Sequence, residues 1–182
     1  MNPIIIILLT IVIIATIFTI LYISLYNKIT YSKIRIDEAE RVIVEELTHR
    51  YELIMKTKPL VQKNTKMDLT IYNDLEQLKG NNVTSYELEK RITEAIDTIY
   101  LITNDHPKLE EKRDFKELIR KLEESDTKII AAKSFYNKNN QKLNEMIKKI
   151  PANIISKIHK INIKPYYEGK EIFNELDDGI KI

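Results

Sequence analysis

The sequence of 182 residues contains no cysteine, only three glycines and only five prolines. Without cysteine, the chain cannot form disulfides, use a thiol as a nucleophile or bind a metal or cluster through thiolates. A chain with so little glycine and proline has few tight turns, which argues against a sheet protein and favours long helices. The glycines, at positions 80, 169 and 179, are also too far apart to form a phosphate-binding loop.

Charge is absent from the first 27 residues, and all 29 basic and all 27 acidic residues follow them. The stretch from Pro3 to Leu25 is rich in isoleucine and leucine and is long enough to cross the roughly 30 Å core of a bilayer as a helix. An unbroken helix bonds its own backbone polar groups, so it can enter lipid. Tyr22 and Tyr26 lie where a spanning helix meets the membrane interface. We therefore predict a transmembrane anchor at residues 1–27.

A cleaved signal peptide is the alternative interpretation of this stretch. Such a peptide begins with basic residues, has a shorter apolar core and ends with small residues at a cleavage site. No lysine or arginine precedes the apolar run, and no Ala-x-Ala pattern follows it. These features favour an anchor that is retained.

Basic residues flank the predicted span only on its C-terminal side, at Lys28, Lys33, Arg35 and Arg41. Basic flanks remain in the cytoplasm during insertion. We therefore expect a single-pass protein of the cell membrane, with its N-terminus outside and its C-terminal domain in the cytoplasm.

The first helix after the anchor is predicted from Lys28 to about Leu78, because apolar residues recur there at helical spacing. Neither glycine nor proline separates it from the anchor, Pro59 predicts a kink, and the turn residues around Gly80 predict its end. The apolar stripe consists of Ile36, Ala39, Ile43, Leu47, Tyr51, Ile54 and Val61.

Two further long helices are predicted. One is capped by Thr84 or Ser85 and closes before Pro107. The other begins after a cap at Asp114, and its apolar steps alternate between three and four residues, which is typical of a coiled-coil seam. The predicted seam consists of Phe115, Leu118, Leu122, Ser125, Ile129, Ala132, Tyr136, Asn139, Leu143, Met146 and Ile150.

Two positions of the seam, Ser125 and Asn139, are polar. They either fix the helix register by pairing with polar groups on a neighbouring helix, or form a polar spot that a ligand could use. The sequence leaves both interpretations open.

A short fourth helix begins at Pro151 and ends near Lys160. We expect an all-α protein in which a single N-terminal transmembrane helix precedes an up-and-down antiparallel bundle of three long helices and a short fourth. The predicted domain limits are 1–27 for the transmembrane anchor, 28–163 for the helical bundle and 164–182 for a C-terminal tail.

Residues that commonly carry chemistry are not in catalytic spacing. His49, His106 and His159 lie in different elements, and none belongs to a His-Glu-x-x-His motif. Adjacent carboxylates such as Glu45-Glu46 point about 100° apart on a helix, so they do not face each other as an acid–base pair. We expect no enzymatic activity, no metal and no cofactor.

A basic cluster lies near the last predicted helix. It is either solvated charge that complements helix C-termini, or a patch for acidic lipid or a partner. The net charge of the chain is only +2, which does not indicate a nucleic-acid partner. The cluster consists of Lys148, Lys149, Lys157, His159 and Lys160.

Several spaced residues resemble the signature of the LemA family. Ile129-x-x-Ala132-Lys133-x-x-Tyr136-Asn137 is similar to the family pattern Ile-x-x-Ala-Arg-x-x-Tyr-Asn, and Pro151-x-Asn153 is similar to its Pro-x-Asn. Arg50-x-x-Leu53-Ile54 resembles its Arg-x-Asp-Leu-Ile-Pro. The matching positions, read as structural, are Arg50, Leu53, Ile54, Pro107, Phe115, Ile129, Ala132, Lys133, Tyr136, Asn137, Asn144, Ile147, Pro151 and Asn153.

The match also shows departures, which indicate a divergent member. Met55 stands where the family has proline after Leu-Ile, Thr127 replaces an asparagine, and the tryptophan after the anchor is missing. The resemblance implies a membrane-anchored helical bundle without catalytic residues. We expect a scaffold or interaction protein that associates with the bilayer and with a protein partner or itself; the alternative is a membrane-coupled sensor or ligand-binding bundle.

Overall fold

The structure is a computed structural model that describes residues 2–65, 70–78 and 82–167 and the backbone of residues 180–181. The predicted all-α class is confirmed: this part of the chain forms six helices and one short pair of antiparallel strands. The helices are α1 (Pro3–Asn64), α2 (Thr70–Gln77), α3 (Ser85–Asp105), α4 (Pro107–Glu110), α5 (Arg113–Ile147) and α6 (Ala152–Ile158), and the strands are β1 (Asn82–Val83) and β2 (Ile180–Lys181).

The chain forms two compact units. The first unit comprises Met1–Glu38 and Tyr136–Tyr166, and the second comprises Ala39–Phe135 and Tyr167–Ile182. The helices α1 and α5 each contribute residues to both units. The predicted domain limits stay a prediction.

Helix α1 runs without interruption for 62 residues, as the lack of glycine and proline after the anchor predicted. Asn2 caps its start, because the Asn2 side chain accepts a hydrogen bond of 3.2 Å from the amide of Ile4, and Pro3 occupies the first helical position. The apolar segment makes α1 long and apolar enough to cross a membrane. Its side chains from Pro3 to Ile23 are all exposed.

The prediction of one helix up to Leu78 was wrong, because α1 ends at Asn64 and α2 begins at Thr70. Near the end of α1, two side chains bond carbonyls of its last turns. Asn64 donates to the carbonyl of Leu60 at 2.5 Å, and the Thr65 hydroxyl donates to that of Val61 at 3.0 Å. The Val61 carbonyl also accepts the backbone amide of Thr65 at 2.9 Å, so these side-chain bonds add to the helical ones.

Within the second unit, the contacts of α1 with α5 run in opposite directions along the two helices. Glu46 accepts a hydrogen bond from Ser125 of α5, and Asn64, 18 residues later on α1, accepts one from Lys112, which lies just before α5 and 13 residues before Ser125. The predicted stripe of α1 is buried throughout this unit, from Ala39 to Val61. The side chains of this stripe therefore form the core with those of α2, α3 and α5.

The predicted seam of α5 is buried at its beginning and shifts by one residue near its end. Phe115, Ile129 and Leu143 are buried as predicted. Beyond Tyr136, however, the buried positions are Asn140, Leu143, Asn144 and Ile147, while Ile150 lies outside the helix and is exposed. A straight helix has 3.6 residues per turn, so a strict alternation of three and four residues drifts off the buried face by about 20° per heptad.

Two helix starts after residue 104 differ from the prediction. Asp114 is not a cap, because α5 already begins at Arg113 and Asp114 lies in its first turn. The short helix α4, which begins at Pro107, was not predicted. By contrast, Thr84 caps α3 as predicted, since its hydroxyl accepts a hydrogen bond of 3.2 Å from the amide of Glu87.

In the first unit, α5 holds the extended segment that follows α6. Asn144 donates to the carbonyl of Lys164 at 2.8 Å and accepts from its amide at 3.1 Å. Asn140 donates to the carbonyls of Lys164 and Pro165, and the hydroxyl of Tyr136 also donates to Pro165. Two buried asparagines of α5 therefore fix the backbone at residues 164–165.

Candidate functional site

A cleft of about 320 Å³ lies in the second unit between α1, α3 and α5. Its apolar surface comes from the buried stripes of the three helices, and its polar surface comes from residues beside those stripes. The apolar residues are Leu47, Ile92, Ile96, Leu122 and Ile129, and the polar ones are Arg50, Glu89, Thr93, Asp97, Tyr100, Glu123 and Asp126.

Arg50 contributes the positive charge of the cleft lining. Its guanidinium Nη1 donates to the carboxylate of Asp126 at 2.5 Å and links α1 to α5. The Nε atom of Arg50 is buried and has no hydrogen-bond partner among the residues that the structure describes. One donor of Arg50 is thus fixed by an ion pair, while another is free of any described acceptor.

Negative charge predominates around the cleft. Asp97 and Glu123 are exposed, and neither forms an ion pair with any residue in the described ranges. Burial raises the pKa of Tyr100, and the neighbouring carboxylate of Glu123 raises it further. With Arg50 paired to Asp126, these two carboxylates leave the cleft suited to a cation.

Beside the cleft, Ser125 donates to Glu46 at 2.8 Å, and Lys128 donates to the same carboxylate at 3.1 Å. Burial alone would raise the pKa of Glu46, but the hydrogen bonds from Ser125 and Lys128 outweigh burial and hold that pKa below its usual value. The polar seam position Ser125 therefore pairs with a polar group on a neighbouring helix, one of the two interpretations left open. Asn139, the other polar position, is half-buried.

A second polar cluster, within the second unit, joins α3 and α5 to Tyr167. Lys133 forms an ion pair with Glu89, and the hydroxyl of Tyr167 donates to Glu89 at 3.1 Å. The Lys133 ammonium also lies 4.8 Å from the centre of the Tyr167 ring, a cation–π distance. Sequence reasoning did not single out Glu89, because its partners lie 44 and 78 residues away in the chain.

A larger groove in the second unit, of about 820 Å³, lies beside the C-terminal end of α1 and the N-terminal end of α5. Its lining includes the basic residues Lys56, Arg113, Lys116 and Arg120. Arg120 is already paired with Glu117 at 2.6 Å, and this exposed pair lowers the pKa of Glu117 to about 2. The groove is therefore lined by basic residues, and one of them, Arg120, is partly neutralised by Glu117 on the same helix.

The three histidines lie in different elements of the structure. His49 lies 3.6 Å from Glu46 on the same helix, His106 lies between α3 and α4, and His159 ends α6. Within the described residues, no group of three histidine or acidic side chains could hold a metal ion.

His159 packs against the apolar helix within the first unit. Its Nε2 atom lies 2.8 Å from the hydroxyl of Tyr22, and its ring centre lies 4.4 Å from that of Tyr26. The two tyrosine rings stack parallel at 6.4 Å. Sequence analysis placed both tyrosines at an expected membrane interface, but no pattern linked them to a histidine more than 130 residues later.

The fourteen signature positions fall into three groups by burial. Four are half-buried (Arg50, Lys133, Asn137 and Asn153), and two are exposed (Pro107 and Pro151). Arg50 and Lys133 each form an ion pair between helices. The eight buried positions are Leu53, Ile54, Phe115, Ile129, Ala132, Tyr136, Asn144 and Ile147. The structural role of these residues stays a prediction.

These features define a class: an all-helical protein with an N-terminal apolar helix of spanning length and a charged, packed helical part. Comparison with protein families then gives a match to the model of the LemA family over residues 39–176. The match covers most of the chain, and the protein belongs to the LemA family. That family is not a known enzyme family. A search of curated proteins finds no match.

Proposed function

We propose that the protein is a membrane-anchored helical scaffold or interaction protein of the LemA type, without catalytic activity. The observation that carries the proposal is the continuity of α1, in which an exposed apolar segment passes without a break into a packed, charged helical part. Such a helix joins the domain directly to the proposed anchor, with no linker between them. A domain held in this way can present its surface to a partner at the membrane.

The proposed architecture of the domain is an up-and-down bundle. Its support is the order of contacts, since α5 runs opposite to both α1 and α3. On α3, Tyr100 lies close to Glu123, whereas Glu89 pairs with Lys133 further along α5. Long antiparallel helices of this kind leave broad outer faces for a partner.

The proposed topology places the N-terminus outside the cell and the domain in the cytoplasm. Its support is the set of basic residues just after the span, Lys28, Lys33, Arg35 and Arg41, with none before it. Protease treatment of intact cells tests the topology with a C-terminal tag. The tag should survive until the cells are opened, whereas its loss from intact cells would reverse the proposed orientation.

The scaffold role predicts a specific assembly in the membrane. Mild amine cross-linking in native membranes should give a discrete larger species, because exposed lysines cover the domain. Light scattering of the full chain in detergent then distinguishes self-association from binding of another protein. A chain that remains alone in its membrane, and monomeric in detergent at every concentration, would contradict the scaffold role. A nucleic-acid partner is not part of the proposal.

The second candidate function is a sensor or ligand-binding bundle, and the cleft at Arg50 favours it. Its apolar floor and the two unpaired carboxylates suit an organic cation with an apolar body, such as an alkylammonium ion. A thermal-shift titration of the full chain with alkylammonium ions of increasing length tests this function. The melting temperature should rise with concentration, and the double variant Asp97→Asn/Glu123→Gln should lose the effect. An equal response in both proteins, or none, would contradict this function.

A further inference from the structure

The segment from Met146 to Tyr167 is free of acidic residues and contains five lysines and a histidine. Isoleucines at positions 150, 154 and 158 are exposed in the same segment. Exposed apolar side chains bordered by lysines are typical of a surface that meets a membrane interface.

Helix α6 has one packed side and one exposed side, and the exposed side belongs to this surface. Ala152, Ile155 and Ser156 are buried, while Ile154 and Ile158, four residues apart, share the exposed side. Lys157 and Lys160 border this side, and Lys148 and Lys149 precede it. None of these four lysines has a carboxylate within 4.0 Å in the described part of the chain. The cluster therefore keeps its positive charge available for an external anion.

The contacts of His159 with Tyr22 and Tyr26 join the C-terminal end of α6 to the end of the apolar segment of α1. From Pro3 to Tyr22, α1 has the length of about 30 Å that a bilayer core requires. Tyr22 therefore reaches the level at which hydrocarbon gives way to headgroups. Because His159 caps α6 and touches Tyr22, the C-terminal end of α6, with Ile158, reaches the same level.

The C-terminus of α6 is closed by a well-defined cap. Lys160 adopts a left-handed conformation with a φ of 53°, and the amide of Ile161 bonds the carbonyl of Ser156 at 2.8 Å. A second bond, of 3.2 Å, joins the amide of Lys160 to the carbonyl of Lys157. Together they form a Schellman motif, which ends the helix beside the contact of His159 with Tyr22.

We propose that α6 is a second membrane contact, which lies on the headgroups of the bilayer that holds the anchor and binds anionic lipid. The isoleucines at 150, 154 and 158 enter the interface, and the four lysines bind lipid phosphates. The proposal rests on the proposed function, because it requires α1 to span that bilayer. Of the two interpretations of the basic cluster, the proposal selects the patch for acidic lipid.

The absence of cysteine allows a direct test in the full chain. Single variants Ile158→Cys, Ile130→Cys and Phe18→Cys carry an environment-sensitive fluorophore in liposomes of phosphatidylcholine and phosphatidylglycerol with nitroxide-labelled lipid. Ile130 is the matched control for Ile158, since the two side chains are 61% and 62% exposed. We expect lipid quenching at residue 158 to exceed that at residue 130 by about twofold or more.

The variant at Phe18 separates the two proposals. Quenching at residue 18 without quenching at residue 158 would overturn the second membrane contact and leave the anchor intact. No quenching at residue 18 would overturn the anchor itself. The variant in which Lys148, Lys149, Lys157 and Lys160 are all glutamine should lose most of the quenching at residue 158, as should liposomes of phosphatidylcholine alone. Quenching unchanged in both would overturn the role of anionic lipid.

Discussion

The two halves of α1 share one secondary structure and differ in everything that surrounds it. From Pro3 to Ile23 every side chain is exposed and none is charged, whereas from Ala39 to Val61 one stripe is buried and charges occupy the other faces. A helix satisfies its own backbone in either setting. The comparison teaches that the side-chain pattern, and not the backbone structure, distinguishes an exposed apolar helix from one that packs in a core.

Hydroxyl groups show the same contrast at the level of single bonds. In the apolar half, Thr10, Thr16 and Thr19 each donate to a carbonyl four residues earlier, at 2.8–2.9 Å. In the packed half, Thr57 bonds the carbonyl of Ile54 at 2.7 Å and the hydroxyl of Tyr72 at 2.9 Å. A hydroxyl of the apolar half is satisfied within its own helix, but one in the core can join two helices.

The largest effect is expected from shortening an isoleucine in the packed half. Ile43 is 1% exposed and Ile13 is 59% exposed. Ile43→Ala should lower the free energy of unfolding by about 2–5 kcal/mol, because it removes buried methyl groups and leaves a cavity. Urea denaturation in detergent measures the change, and Ile13→Ala is the matched control. Equal losses in the two variants would break the distinction between the halves.

An added charge should affect the apolar half of α1 more than the packed half, the opposite of a shortened isoleucine. Ile11→Lys places an ammonium in the middle of the apolar half and should disfavour membrane insertion by about 2.5–3.5 kcal/mol. Val42→Lys puts the same charge at an exposed position of the packed half and should leave insertion unchanged. The fraction of protein that resists carbonate extraction from membranes measures both. If Val42→Lys released the protein from the membrane more than Ile11→Lys did, the anchor assignment would be wrong.

A smaller effect is expected from removing a hydroxyl. Thr57→Val leaves the buried hydroxyl of Tyr72 without its partner and should lower the unfolding free energy by about 1–3 kcal/mol. Thr16→Val removes a bond within one helix and should change stability little. Thermal denaturation of both variants in the same detergent compares them, and similar melting temperatures would contradict the role of Thr57 as a link between helices.

The smallest effect concerns pH. The pKa of Glu46 is lowered in the folded protein, so its contribution to stability is complete above the unfolded pKa and is lost as the pH falls through the folded one. The urea midpoint of the protein should therefore decline in acid. Glu46→Gln should flatten part of this decline.

Glu117 provides the control for this pH effect. Its pKa is lowered to about 2 by Arg120, yet both side chains are exposed and solvent screens their pairing. Glu117→Gln should leave the acid profile nearly unchanged. A larger effect from Glu117 than from Glu46 would contradict the role of burial.

Much of the fold could be predicted from residues that act on their near neighbours. Thr84 caps α3 as its position predicted, and the stripe that begins at Ala39 is buried as its spacing predicted. The prediction failed at the end of the first helix. Helix α1 ends at Asn64, before the predicted boundary, where the side chains of Asn64 and Thr65 bond the carbonyls of Leu60 and Val61.

The candidate site could be predicted only in part. Ser125 was singled out because it interrupts an apolar seam, and it does pair across helices. The cleft at Arg50 and the cluster of Glu89, Lys133 and Tyr167 combine residues far apart in the chain. No periodicity within one helix contains that information, since it depends on how the helices pair.

The sequence by itself determined two unlike parts of this protein: an uncharged stretch of spanning length, and a charged remainder whose apolar residues follow the helical period. Only the tertiary structure decided which residues meet across helices and which stay uncovered. It paired Arg50 with Asp126, moved the buried face of α5 to Asn140 and Asn144, and left Ile154 and Ile158 of α6 exposed beside a histidine that touches Tyr22. The physical reason is that helix formation and hydropathy are set by local spacing, whereas burial and ion pairing need partners brought together from distant parts of the chain.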